Sequence, residues 1–156
     1  MLKKLFFAVI VCVVCLSAGV TAFSAYEQPT FVRFEMNNTT FTRNGVPVQT
    51  DVAPFIDVAY DRAMLPLRVI VEELGATVFW NEDIQTVVIT RDSIVVSLDL
   101  NEPLPDGMGM ARIVNGRTMV PVRYIAETFW YSLVWDENNN AVYISERSLE
   151  GIAPVM

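Results

Sequence analysis

Apolar and polar residues alternate from Phe31 to Met36, the period-two pattern of a half-buried strand. Thr40 to Arg43 and Val46 to Val48 flank Asn44-Gly45, a dipeptide that tolerates positive φ at both turn positions and so predicts a tight hairpin. Pro47 lacks a ladder donor, which places its strand at a sheet edge. Phe55 to Val58 is a further short strand. The period then changes. Leu67, Ile70, Val71 and Leu74 form one apolar stripe at helical spacing. Pro66 suits the first helical position, and Gly75 suits the left-handed residue just past the end. Thr77 to Trp80 and Thr86 to Thr90 predict a hairpin around residues 81–85.

The same plan follows again. Ile94 to Leu98 is a strand, 101–109 is a loop with two prolines and two glycines, Ala111 to Val114 is a strand and Asn115-Gly116 a turn. Val122, Ile125, Ala126 and Phe129 form a second helical stripe, and Leu133 to Trp135 with Ala141 to Ser145 form a second hairpin. The agreement reaches single residues. Met64-Leu-Pro-Leu-Arg-Val-Ile-Val-Glu72 and Met119-Val-Pro-Val-Arg-Tyr-Ile-Ala-Glu127 stay in register without a gap, 55 residues apart. Pro66 corresponds to Pro121, Arg68 to Arg123, Glu72 to Glu127 and Trp80 to Trp135. This is the signature of a duplicated unit. Short strands joined by hairpins, with one helix per unit, predict an α+β fold. Two tandem units, about 31–92 and 93–146, would each lay a helix on mostly antiparallel sheet and share a core.

The N-terminus changes the picture of where the protein works. Lys3 and Lys4 precede an apolar run from Leu5 to Leu16, which is shorter than the roughly 20 residues of a spanning helix. Small residues follow, with cleavage expected after Ala22 or Ala25; an uncleaved anchor is the alternative. Residues 1–25 are therefore expected to be a signal peptide, and the protein to be secreted or held at the cell surface. Residues 147–156 are expected to fray.

Composition then excludes whole classes of chemistry. Both cysteines, Cys12 and Cys15, lie in the signal, and the chain has no histidine. Disulfides, thiol catalysis, Ser-His and Cys-His nucleophiles and imidazole metal sites are all excluded from the mature chain. Without Lys3 and Lys4, 9 basic residues face 18 acidic ones, a net of −9. That opposes nucleic acid as a partner. No cofactor is expected.

Candidate chemistry is sparse. Arg68/Glu72 and Arg123/Glu127 are i,i+4 pairs whose recurrence in both units indicates helix-orienting ion pairs. Asp136 to Asn140 begins like a calcium loop, but Ala141 and Arg147 stand where Gly and Glu are needed, so a hairpin turn is expected. Trp80 and Trp135, among alternating apolar residues, are expected in the core. The units differ most at Trp130-Tyr131, opposite Gly75-Ala76, and in the 101–109 loop. Trp130 and Tyr131, joined by Met108 and Met110, are the candidates for a partner-binding surface.

Asp61-Arg-Ala-Met-Leu-Pro-Leu-Arg68 and Asn115-Gly-Arg-Thr-Met-Val-Pro-Val-Arg123, each followed by a glutamate and later by Trp-Asn or Trp-Asp, resemble the copper amine oxidase N-terminal-like, or stalk, domain of exported bacterial proteins. The likeness runs from about Phe31 to Ser145. It implies an antiparallel sheet wrapped on a helix and a non-catalytic extracellular module. The copper and modified-tyrosine machinery belongs to another domain of those oxidases. One departure is internal: family members commonly end the helix with Leu-Gly, as at Leu74-Gly75, whereas the second unit has Phe129-Trp130. Since a left-handed Trp is strained, the second helix is expected to end differently or run longer. The expected function is binding of a cell-envelope protein or wall glycan. A small secreted hydrolase with paired carboxylates and a ligand-free spacer are the rivals.

Overall fold

The computed structural model describes residues 30–146. The expected signal peptide and the tail at 147–156 lie outside the described residues. The turn chemistry is realised locally. Strands β2 (Thr40–Arg43) and β3 (Val46–Gln49) pair Arg43 with Val46 across Asn44 and Gly45, at φ 50° and 81°. Strands β9 (Arg112–Val114) and β10 (Arg117–Pro121) do the same across Asn115 and Gly116, at φ 49° and 75°. Two successive positive φ values match the right-handed twist of the strands they join.

The remaining strands are β1 (Phe31–Glu35), β4 (Phe55–Asp57), β5 (Arg62–Pro66), β6 (Thr77–Asn81), β7 (Thr86–Arg91), β8 (Ile94–Asp99), β11 (Ser132–Asp136) and β12 (Ala141–Ser145). The helices are α1 (Leu67–Glu73) and α2 (Val122–Thr128). Pro66 stands one residue earlier than the sequence predicts, and Pro121 holds the same place before the second helix. Each closes a strand and precedes its helix, with Pro66 facing Met119 and Pro121 facing Met64 in the ladder.

Among the described residues the strands assemble into three antiparallel sheets, ordered β11-β12-β1-β2-β3, β4-β5-β10-β9 and β6-β7-β8. With the two helices described, this is the α+β class that the pattern predicts. β3, which contains Pro47, is an edge strand. Both helical stripes are buried: Leu67, Ile70, Val71 and Leu74 on α1, and Val122, Ile125, Ala126 and Phe129 on α2. They share one core with Val32, Phe34, Val87, Ile89, Val142 and Ile144. Phe34 stacks on Phe41, ring centroids 4.8 Å apart.

Two registers organise the molecule. In the central sheet Met64 faces Pro121, Leu65 faces Val120 and Pro66 faces Met119. Positions that correspond in sequence thus exchange places about the Leu65–Val120 pair. In the outer sheets, β12 pairs with β1 through Ile144–Val32 and Val142–Phe34, while β7 pairs with β8 through Ile89–Val96 and Val87–Leu98. The N-terminal strand therefore occupies, beside β12, the place that β8 occupies beside β7. Only β1 carries a further hairpin on its outer side, β2–β3.

The second helix corrects an expectation. It ends as the first does. Ala76 N–H donates to Val71 C=O at 2.7 Å, and Tyr131 N–H to Ala126 C=O at 2.9 Å, the six-to-one bond of a Schellman cap. The residue between cap and bond is left-handed in both, Gly75 at φ 78° and Trp130 at φ 59°. The backbone geometry is retained in α2 although its left-handed position carries an indole.

Candidate functional site

The surface pair proposed from sequence divides. Trp130 is 82% exposed. Tyr131 is buried, its hydroxyl donating to Leu74 C=O at 2.6 Å, under the Arg91 guanidinium 4.8 Å from its ring. That carbonyl comes from the end of the other helix, so the hydroxyl is satisfied without water. Burial pushes the Tyr131 phenol up to about 12. Met108 is buried and Met110 half-buried, because a 3-10 turn at Pro105–Gly107 folds the loop back onto the core with Leu104. Leu104 N–H donates to Gly109 C=O at 2.7 Å across its base. Tyr131 and Met108 are thus core residues, not contact residues.

The two tryptophans correct the opposite error. Trp80 and Trp135 are each 39% exposed rather than core. They point to the face that also carries Val78 and Val87, or Leu133 and Val142, but sit towards the far end of their strands. A seven-residue helix is only about 10 Å long, whereas a five-residue strand extends about 16 Å. The helix therefore leaves the indole at the margin.

Each indole lines a groove. The larger, about 860 Å³, is walled by Val78, Trp80 and Val87 from the sheet, by Leu67 and Arg68 from α1, and by Arg117 and Thr118 from β10. Gln49 at the end of β3, with Thr50 and Asp51 just after it, closes another side. The smaller, about 370 Å³, is walled by Leu133, Trp135 and Val142, by Val122 and Arg123 from α2, and by Arg62 and Ala63 from β5. These are the residues 55 positions away from those of the first groove, with donor and acceptor strands of the central sheet interchanged.

The electrostatics differ between the grooves. Arg117 holds one oxygen of Asp51 from Nε at 2.6 Å and from a terminal nitrogen at 2.5 Å. The hydrogen bonds from Arg117 hold the Asp51 carboxyl below the usual carboxylate range and raise the guanidinium in turn. Arg68 pairs with Glu72 at 3.2 Å, and Arg123 with Glu127 at 4.0 Å, all four side chains more than half exposed. Exposed pairs of this kind contribute at most a few tenths of a kcal/mol. In the second groove Arg62 donates to Asp61 C=O at 3.0 Å, while its Nε is buried without a partner among the described residues.

Elsewhere the chemistry is structural. Asp136 accepts from Asn138 N–H at 3.1 Å, Asn139 N–H at 3.2 Å and the Asn139 amide at 2.8 Å, with the Asn139 side chain foremost in lowering its pKa. Its carboxylate is committed to the hairpin turn rather than to a cation. Among the described residues no group of three or more His, Cys, Asp or Glu side chains is placed to hold a metal ion.

A family model described as copper amine oxidase N-terminal domain matches residues 42–105 and 108–146. The chain belongs to the copper amine oxidase N-terminal domain family. No curated protein and no solved structure matched. In the amine oxidases this N-terminal domain is a non-catalytic module. The chain contains no histidine, the imidazole donor on which most copper sites rely.

Sequence reasoning missed Asp51, Arg117 and Gln49. Asp51 and Arg117 lie 66 residues apart and meet only through the tertiary fold. The duplicated tryptophans were the signal that could have found the grooves, had strand length been weighed against helix length.

Proposed function

We propose that this protein is a non-catalytic, exported binding module of the cell envelope that holds a stretch of glycan in the groove beside Trp80. The observation that supports it most is the half-covered indole within a groove edged by planar polar side chains. A pyranose presents an apolar C–H face and a rim of hydroxyls. Trp80 offers the flat apolar surface, and Gln49, Asp51 and Arg117 offer donors and acceptors around it. The Arg117–Asp51 pair leaves that wall without net charge, which suits an uncharged ligand better than an anionic one. The acidic surface of the chain points the same way.

Hydrolysis is the weaker reading. A general acid needs a carboxyl held protonated near neutral pH. The carboxyl of the larger groove, Asp51, is shifted downward and is engaged by an arginine. Export rests on the N-terminal signal pattern. The symmetric β5–β10 register and the matching roles of β1 and β8 support a duplicated unit whose first strands are exchanged between halves. The β2–β3 hairpin is what the first half adds, and it builds the wall that enlarges its groove.

The test is titration of the protein, purified after export, with the soluble β-1,4-linked N-acetylglucosamine tetramer, followed by tryptophan fluorescence. Saturable quenching that Trp80→Ala weakens at least tenfold is expected, as for loss of a central aromatic anchor. An unchanged affinity in Trp80→Ala would remove the groove from the function.

A further inference from the structure

We infer that the Trp135 groove is a second glycan site, so that one molecule can hold two glycan strands at once. This rests on the reading of the Trp80 groove and extends it. The indole, its two aliphatic neighbours and the two arginines recur. Trp135 has the same 39% exposure as Trp80. Leu133 and Val142 flank it as Val78 and Val87 flank Trp80, and Arg123 and Arg62 stand where Arg68 and Arg117 stand. The indole again supplies a flat apolar surface, and the arginines again edge it.

Independent of this likeness, Arg62 Nε is buried in the described structure without a hydrogen-bond partner. A buried donor left unpaired is unfavourable. Arg62 lines this groove, and a turn of its side chain would bring that donor to a ligand hydroxyl. The first groove has no such vacancy, because Asp51 takes the Nε of the corresponding Arg117. At about 370 Å³ it lies near the low end of ordinary ligand sites, large enough for a sugar unit or two.

Position makes the pair useful. One groove is bounded by β10 and the turn that precedes it, the other by β5 and the turn that precedes it. β5 and β10 are the antiparallel central neighbours of one sheet. The sites are thus built on opposite sides of the Leu65–Val120 pair. Two strands bound there would be linked through a rigid sheet, and a multivalent glycan would be held far more tightly than a single sugar.

The experiment is calorimetric titration of the full exported protein with the same N-acetylglucosamine tetramer. Wild type is expected to take up two per chain. Trp135→Ala should remove one site and leave the affinity at the other, Trp80→Ala should remove the complementary one, and the double variant should bind none. Trp135→Phe, which keeps a ring, and an unchanged melting temperature separate loss of site from loss of fold. Arg62→Lys should weaken only the second site, by about tenfold. Wild type should also gather fragments of soluble wall polymer into scattering aggregates, and either single variant should not. A stoichiometry of one, lost in Trp80→Ala and indifferent to Trp135→Ala, would overturn the second site and leave the first standing. Absence of any uptake by wild type would overturn both.

Discussion

Gly75 and Trp130 hold the same backbone conformation at corresponding helix ends, and this allows a sharp test of what the fold demands there. An added Cβ at Gly75 would meet nothing within 4 Å. Gly75→Ala should therefore cost only the backbone strain of a left-handed residue, about 1–2 kcal/mol, less a few tenths from a stiffer unfolded chain. Trp130 at φ 59° already bears that strain. Trp130→Ala and Trp130→Gly lose the same indole contacts, so the two variants differ in the backbone alone. Glycine should then be the more stable of the pair by about 1 kcal/mol. Inside an ordinary helix the order is reversed, with glycine about 1 kcal/mol worse than alanine. The sign decides the matter. Urea and thermal unfolding of the three variants suffice, with the glycine variant melting a few degrees above the alanine variant for a domain of this size. A Trp130→Ala protein as stable as Trp130→Gly would show that residue 130 is not held left-handed in solution, and the shared Schellman cap would fall with it.

Leu74→Ala and Phe129→Ala should each destabilise by about 2–5 kcal/mol, since both side chains are fully buried at the ends of their stripes; unchanged denaturation midpoints would show that the stripes do not face a core. Tyr131→Phe should cost about 1–2 kcal/mol at neutral pH, because it strands the Leu74 carbonyl. The Tyr131 phenol has a folded pKa raised to about 12. Stability is therefore unaffected below about pH 10 and falls by about 2–3 kcal/mol as pH rises from 10 to 12, the cost of ionising the buried phenol. Equal alkaline slopes in wild type and Tyr131→Phe would refute that assignment.

What could be read from the chain was what neighbours in sequence decide. Asn44-Gly45 and Asn115-Gly116 fix their hairpins through their own φ values, and the two apolar stripes fix which helix face turns inward. Gly75 marked a helix end because no other residue adopts that conformation so easily. The failures all involve partners far along the chain. Tyr131 is buried because a carbonyl 57 residues away accepts its hydroxyl. Met108 is buried because a loop rich in proline and glycine closes on itself, a fact its polarity conceals. That β1 would pair with β12 could not be foreseen, because any strand with one apolar face satisfies that edge equally well. The depth of Trp80 depended on how far α1 reaches over β6, which is a matter of lengths and not of pattern.

A repeat in sequence invites a simple rule: positions shared by both stretches serve the fold, and positions that differ serve function. The tryptophans show why the rule is too simple. Trp80 and Trp135 correspond, and each leaves 39% of its surface in solvent. A smaller side chain such as leucine would fill the covered part with less apolar surface exposed, so packing alone does not call for indole there. Trp130 supplies the contrast, for it differs between the copies and is far more exposed, yet it lines neither groove. Burial and surroundings therefore discriminate where correspondence does not. Correspondence still has a use once the grooves are known. It identifies what was added to one of them: the β2–β3 hairpin ends at Gln49 and leads into Thr50 and Asp51, and no counterpart of these residues lines the other groove. The shared indoles then supply the common surface, and the unshared hairpin makes the two grooves unequal.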